Sequence, residues 1–155
     1  MSDTSTILYK RATFVTRLPI GHRYAPSHCW LALTPEGLWR VGFTKFALRM
    51  LGELVDVQFD RAVGVAIQPG DILGTIEGFK AVSDLFCVGT GKFQGGNPVL
   101  RTDLEILARE PYTTGWLYQF EGQPDARCLD VDGYQGLLDA TIDRILAKQQ
   151  AEESR

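Results

Sequence analysis

Short apolar and β-forming runs bounded by turn residues follow one another along most of the chain, and a helical spacing replaces them at two places. The segment from Ile7 to Leu18 is rich in β-formers, among them Tyr9, Thr13, Phe14, Val15 and Thr16, and Pro19-Ile20-Gly21 stops it, which predicts one first strand. In "HCWLALTPEGLWRVGFT" two apolar runs flank Thr34-Pro35-Glu36-Gly37, a tetrad suited to a hairpin loop, and Trp30 and Trp39 fall on opposing strands. The period then shifts. Thr44 is placed to cap a short helix whose stripe is Phe46, Ala47, Met50 and Leu51 and whose stop is Gly52. Leu54, Val55, Val57 and Phe59 resume a strand, and Pro69-Gly70-Asp71 turns into "ILGTIEGFK". After Lys80, "AVSDLFCV" is again a strand, so two β-runs hold Gly78-Phe79-Lys80 at what reads as a hairpin tip.

The glycines of "GTGKFQGGNP" predict a loop, the stretch from Leu100 to Glu110 is more polar, and "PYTTGWLYQF" reads as a turn and a further strand. The second helical spacing comes last. Asp132 is the expected cap, Leu138, Ile142, Ile145 and Leu146 form the apolar stripe, and "AEESR" is expected to fray. The pattern therefore predicts one β-rich domain (all-β or α+β) over residues 7–149, a small sandwich or barrel with helices at its margin, between flexible termini at 1–6 and 150–155.

Composition narrows the possible roles. With 45% apolar and 23% charged residues the chain is an ordinary globular one. A net charge of −3, with no cluster of lysine and arginine, argues against nucleic acid and anionic membranes as partners. No apolar run is long enough to cross a bilayer, and "MSDTST" lacks the features of a signal peptide, so a cytoplasmic protein is expected. Cys29, Cys87 and Cys128 are odd in number and widely spaced, which predicts reduced thiols. His22 and His28 are the only histidines, no CxxC pair exists, and no metal site is expected; His28 and Cys29 should point to opposite faces of their strand.

The usual catalytic signatures fail. Gly89-Thr90-Gly91-Lys92 is too short for a phosphate-binding loop and is followed by Phe93 where Ser or Thr is required; Gln94 occupies the third glycine position of a dinucleotide motif. Glu77, Asp84, Asp71 and Asp56 have no pairing that spacing can assign, and neither Ser27 nor Ser83 lies in a nucleophile elbow. What remains is Lys80, an ammonium at neutral pH with a reference pKa of about 10.4 and a poor nucleophile alone, yet open to acylation by another enzyme using an activated donor.

Five blocks then carry a resemblance: "YAPSHCW", "VGFTKFALRMLGELVDV", "GDILGTIEGFKAVSDLF", "EPYTTGWLY" and "LLDAT". In this order, from about Tyr24 to Ile145, they resemble the H protein of the glycine cleavage system. The resemblance implies a lipoyl-type β sandwich (barrel-sandwich hybrid) and a non-catalytic carrier. It maps Lys80 onto the lysine that bears lipoate in amide linkage, with Glu77, Gly78, Phe79, Ala81 and Asp84 as the turn that a lipoate ligase or lipoyltransferase recognises. A tethered arm of that kind works by effective concentration, on the order of millimolar for a short flexible linker.

The chain departs from the family at three points. Gly78 and Phe79 replace the usual Ser and Val, which is expected to loosen the turn and to expose an aromatic for partner contact. Cys29 stands where the family reads "HEW", removing a carboxylate thought to hold the cargo amine. Phe46 dries the presumed arm cleft, of which Ser27, Cys29 and Phe46 are the expected walls. These changes point to the H-like lipoate-binding branch that serves a heterodisulfide-reductase-like complex in sulfur oxidation. The alternative is glycine cleavage with glycine decarboxylase, aminomethyltransferase and dihydrolipoyl dehydrogenase; an unmodified interaction module is the reading from another class. Cys29 and Cys87 are read as small buried hydrophobes, with thiol exchange on the arm conditional on a lowered pKa.

Overall fold

The computed structural model describes residues 5–154. Among these residues eleven strands make three sheets. β1 (Thr6–Arg11) and β2 (Phe14–Pro19) form a hairpin of their own. A six-stranded antiparallel sheet has the order β3 (Arg23–Tyr24), β4 (Cys29–Leu33), β5 (Trp39–Phe43), β11 (Tyr118–Pro124), β10 (Gly89–Gly96) and β7 (Ala66–Ile67). The third sheet is β6 (Leu54–Phe59), β8 (Ile72–Gly78) and β9 (Val82–Phe86), with β8 in the middle. Three α-helices punctuate them: α1 (Lys45–Leu51), the single turn α2 (Ile106–Arg109) and the long α3 (Val131–Glu153), while Pro98–Arg101 is a 3-10 turn.

Two cores explain this layering. Leu31, Val41, Phe93 and Phe120 of the large sheet meet Leu73, Ile76 and Leu85 of the three-stranded sheet, which makes a β sandwich. The second core lies on the opposite face of the large sheet, where Tyr24 and Trp30 pack against Tyr9, Phe14 and Leu18 of the N-terminal hairpin and Tyr134, Leu138 and Ile142 of α3. β4 serves both: Cys29 and Leu31 face the first core, Trp30 and Ala32 the second. Its run "CWLAL" is apolar without alternation for that reason, as in any strand covered on both faces. Among the described residues no helix is long and apolar enough to cross a membrane.

Several sequence expectations are corrected. Ile7 to Leu18 is two strands rather than one, because Ala12-Thr13 is a two-residue turn with Ala12 at φ 54°, and "RATF" contains none of the residues that announce such a turn. "GTGKFQGGNP" is mostly β10 rather than a loop. Gly91 and Gly122 are register partners, and a Cβ on either would overlap a carbonyl oxygen of the opposite strand, so the glycines permit close approach rather than irregular chain. On α1 the buried positions are Phe46, Leu48 and Leu51, and Met50 is 52% exposed. α3 is capped by Asp130, which accepts the Gly133 amide at 2.8 Å, not by Asp132. Its buried stripe is Val131, Tyr134, Leu138 and Ile142, and it continues through the segment expected to fray as far as Glu153. The short helix after the first tryptophan hairpin, its Thr44 cap and its Gly52 stop are as expected.

Candidate functional site

β8 and β9 pair up to Glu77 and Val82, and the Gly78 N–H donates to the Ala81 carbonyl at 2.9 Å, so Phe79-Lys80 is the tip of a tight hairpin. A helix leaves its last four carbonyls without internal partners. At the end of α1 the Gly52 N–H takes the Leu48 carbonyl, the Lys80 N–H takes that of Leu51 at 2.9 Å, and the Lys80 ammonium takes that of Arg49 at 3.3 Å. Phe79 N–H donates to Glu53 at 2.9 Å. The tip is therefore docked on the negative end of a helix, which suits a cation. Gly78 is buried in this junction, and a Cβ there would overlap the Leu51 carbonyl oxygen. The expected loosening is thus reversed: glycine lets the tip sit close to α1.

Around the docked tip the side chains are open. Lys80, Glu77, Ala81 and Asp84 are exposed, and Phe79 and Val82 are 75% and 69% exposed. An exposed amine with one backbone partner fits acylation well, since the resulting amide N–H can keep that hydrogen bond and no buried interaction is lost.

The cleft expected from Ser27, Cys29 and Phe46 is split by the large sheet. Ser27 and Cys29 line a narrow cavity of about 130 Å³ with Ser83, Asp84, Phe86 and Tyr118. Phe46 lies on the other side, edge-on to Phe14 at 5.6 Å and against the His28 ring at 4.7 Å, and lines a cavity of about 390 Å³ that Lys80 also borders. The physical reason is alternation: Cys29 faces the inner core while α1 turns Phe46 outward.

A family model described as Glycine cleavage H-protein matches residues 22–134. The chain belongs to the glycine cleavage H-protein family. Among curated relatives it is 38% identical to the glycine cleavage system H protein of Kocuria rhizophila over 81% of this chain and 100% of that one. It is 39% identical to that of Hydrogenovibrio crunogenus, over 79% and 96%. The crystal structure of a glycine cleavage system H protein from Mycobacterium marinum superposes with a TM-score of 0.68 at 34% identity, covering 77% of this chain and 97% of that one. Membership of the H-protein family makes the chain a carrier component and not an enzyme.

The chemistry of the surrounding groups is consistent with that passive role. Burial pushes the Cys29 thiol up to about 12, against a smaller opposite pull from the Ser27 hydroxyl, and burial raises Cys87 to about 11. Neither is a thiolate at neutral pH, so the exchange route that the sequence leaves open lacks its nucleophile. His28 precedes β4 at φ 70° and sends its ring away from Cys29, with Nδ1 2.9 Å from the Tyr134 hydroxyl. That hydroxyl also lies 2.8 Å from Thr44 Oγ1, which ties the cap of α1 to α3. Among the described residues no group of His, Cys, Asp and Glu is placed to hold a metal ion.

The sequence reading missed the carbonyls of Arg49 and Leu51 as the dock of the tip, and Tyr134 as the link between the helices. Backbone partners leave no trace in side-chain pattern, whereas the two-faced run of β4 was a usable sign of the second core.

Proposed function

We propose that Lys80 is the lipoyl attachment site and that the protein carries aminomethyl cargo between the enzymes of glycine cleavage. The observation that carries the reading is an exposed lysine at a two-residue hairpin tip, docked on α1 through its backbone and open at its amine. The chemistry that a bound lipoyl group supplies is the reversible opening of its disulfide. This chain's own residues present the amine, offer Glu77, Gly78, Phe79, Ala81 and Asp84 to a lipoate ligase or lipoyltransferase, and leave Phe79 and Val82 exposed as apolar contact for partners.

For the cargo, glycine cleavage is favoured over heterodisulfide-reductase-like sulfur oxidation. The relatives named above are glycine cleavage system H proteins. The loss of a carboxylate at Cys29 also weighs less than the sequence implied. Asp84 lines the same cavity as Cys29 and Ser27, so a negative charge for a protonated amine is available from β9. Glycine decarboxylase, aminomethyltransferase and dihydrolipoyl dehydrogenase are then the partners.

Intact mass after co-expression with a lipoate ligase tests the site. A lipoyl increment is expected on the wild type and not on Lys80→Arg, and absence of the increment with every lipoylation system overturns the reading in favour of an unmodified interaction module. On material verified as modified, reconstitution with glycine decarboxylase and aminomethyltransferase should turn over glycine. Asp84→Asn should slow it roughly ten-fold, the size of one charge-assisted hydrogen bond. No turnover by lipoylated wild type would return the assignment to sulfur chemistry.

A further inference from the structure

A cavity of about 540 Å³ lies at the far end of the N-terminal hairpin from Lys80. Thr6 and Pro19, the register partners that begin and end the hairpin, border it, whereas the Ala12-Thr13 turn at the other end borders the cavity beside Lys80. Its walls are chiefly apolar, with Trp30, Leu33, Pro35, Pro111 and Tyr112, and its volume is in the range of small-ligand sites. We propose that this cavity binds a small carboxylate with an apolar body, the carboxylate on the Arg40 guanidinium and the body against Trp30, Leu33 and Pro111.

The state of Arg40 carries the inference. It borders the cavity from β5, an interior strand of the large sheet, where its register partners are Ala32 and Gln119. Its Nε is a buried donor without a hydrogen-bond partner among the described residues, and leaving such a donor unmade is costly. The ion pairs of the described residues belong to Arg11, Arg109 and Arg127, so no carboxylate neutralises Arg40. What it does meet is the Trp116 ring, 4.8 Å from the guanidinium carbon. A ring covers one face of the planar group, and the N–H donors point outward along its edge, the arrangement that a carboxylate accepts with both oxygens.

The remaining charges and the frame agree with this. Arg17 also borders the cavity, and the single carboxylate there, Glu110, accepts the Thr113 hydroxyl at 3.3 Å. Burial lowers the pKa of His22, which leaves that ring neutral at pH 7, so two guanidinium groups face one carboxylate and the cavity favours an anion. The walls are preformed. The Trp30 indole N–H donates to the Pro111 carbonyl at 2.6 Å, His22 Nε2 lies 2.9 Å from the Tyr112 carbonyl, and the Asn97 amide donates to the Thr114 carbonyl at 3.1 Å. Leu33, 59% exposed at the end of β4, gives the apolar body a surface to cover.

Occupancy of this site does not depend on lipoylation. Full-length chain labelled with nitrogen-15 is titrated with phenylacetate while the Arg40 Nε–H and Trp30 Nε1–H resonances are followed. Both should shift and saturate, with a Kd on the order of millimolar for a ligand of this size. Phenylacetamide, which lacks the charge, and acetate, which lacks the apolar body, should each bind roughly ten-fold more weakly. Arg40→Gln, followed on Trp30, should weaken phenylacetate by a similar factor. Leu33→Glu changes an exposed position and should weaken it as well, by placing a like charge at the rim. Shifts that do not saturate, equal affinity for phenylacetamide or acetate, or undiminished affinity in either folded variant would each overturn the proposal.

Discussion

At the scale of single residues, His28 shows how a position near the site governs stability without taking part in chemistry. Burial lowers its pKa to about 4, and burial also lowers that of His22. The groups facing His28 are the Tyr134 hydroxyl and the Phe46 ring, and neither compensates a positive charge. A depressed histidine pKa means that the unfolded chain binds the extra proton first. Stability is therefore complete above about pH 6.5 and declines as pH falls toward 4. After discounting for partial exposure the loss from His28 is on the order of 1–3 kcal/mol. Urea midpoints measured between pH 7.5 and 4.5 should fall, and His28→Asn, a residue that tolerates the same positive φ, should flatten the decline. An equally steep decline in that variant would assign the effect elsewhere.

At the scale of elements, the decisive junction is between the end of α1 and the β8–β9 tip. The family resemblance puts serine where this chain has Gly78, and in this fold a serine Cβ would overlap the Leu51 carbonyl. Gly78→Ser should therefore cost roughly 1–3 kcal/mol, the usual penalty for overpacking, in chemical denaturation. Hydrogen exchange should accelerate at the Phe79 and Lys80 amides, whose acceptors are Glu53 and Leu51. Unchanged exchange would mean that the tip is held by other contacts. Element by element, α1, β6, β8, β9 and the first tryptophan hairpin were legible because each has a clean period and strong punctuation. β10 was misread because glycine marks both loops and close strand crossings. The β1–β2 turn escaped notice because Ala12 adopts a left-handed conformation that tertiary packing enforces and composition does not announce.

At the scale of the whole molecule, the large sheet is shared by both cores, with Trp30 and Leu31 adjacent in β4 and fully buried on opposite faces. The hairpin and α3 are consequently not appendages. Tyr24 stacks on Tyr134 at 4.6 Å, and the Tyr24 hydroxyl donates to the Pro19 carbonyl at 2.7 Å, so strand, helix and hairpin meet at one residue. Thermal unfolding should be a single transition with equal calorimetric and van't Hoff enthalpies. Two resolved transitions, with helix lost before sheet, would show that the second core is an independent layer.

The sequence by itself determined the β-rich class, the short capped helix, the hairpin that presents Lys80 and the membership of a carrier family, since these depend on local period and on contiguous motifs. Tertiary structure alone decided that Ser27 and Phe46 lie on different faces, that Asp84 joins Cys29, and that the β1–β2 turn and α3 meet beside the lysine. Those relations join residues distant along the chain, and their energy comes from burying both faces of one sheet, a quantity that exists only after the layers have packed.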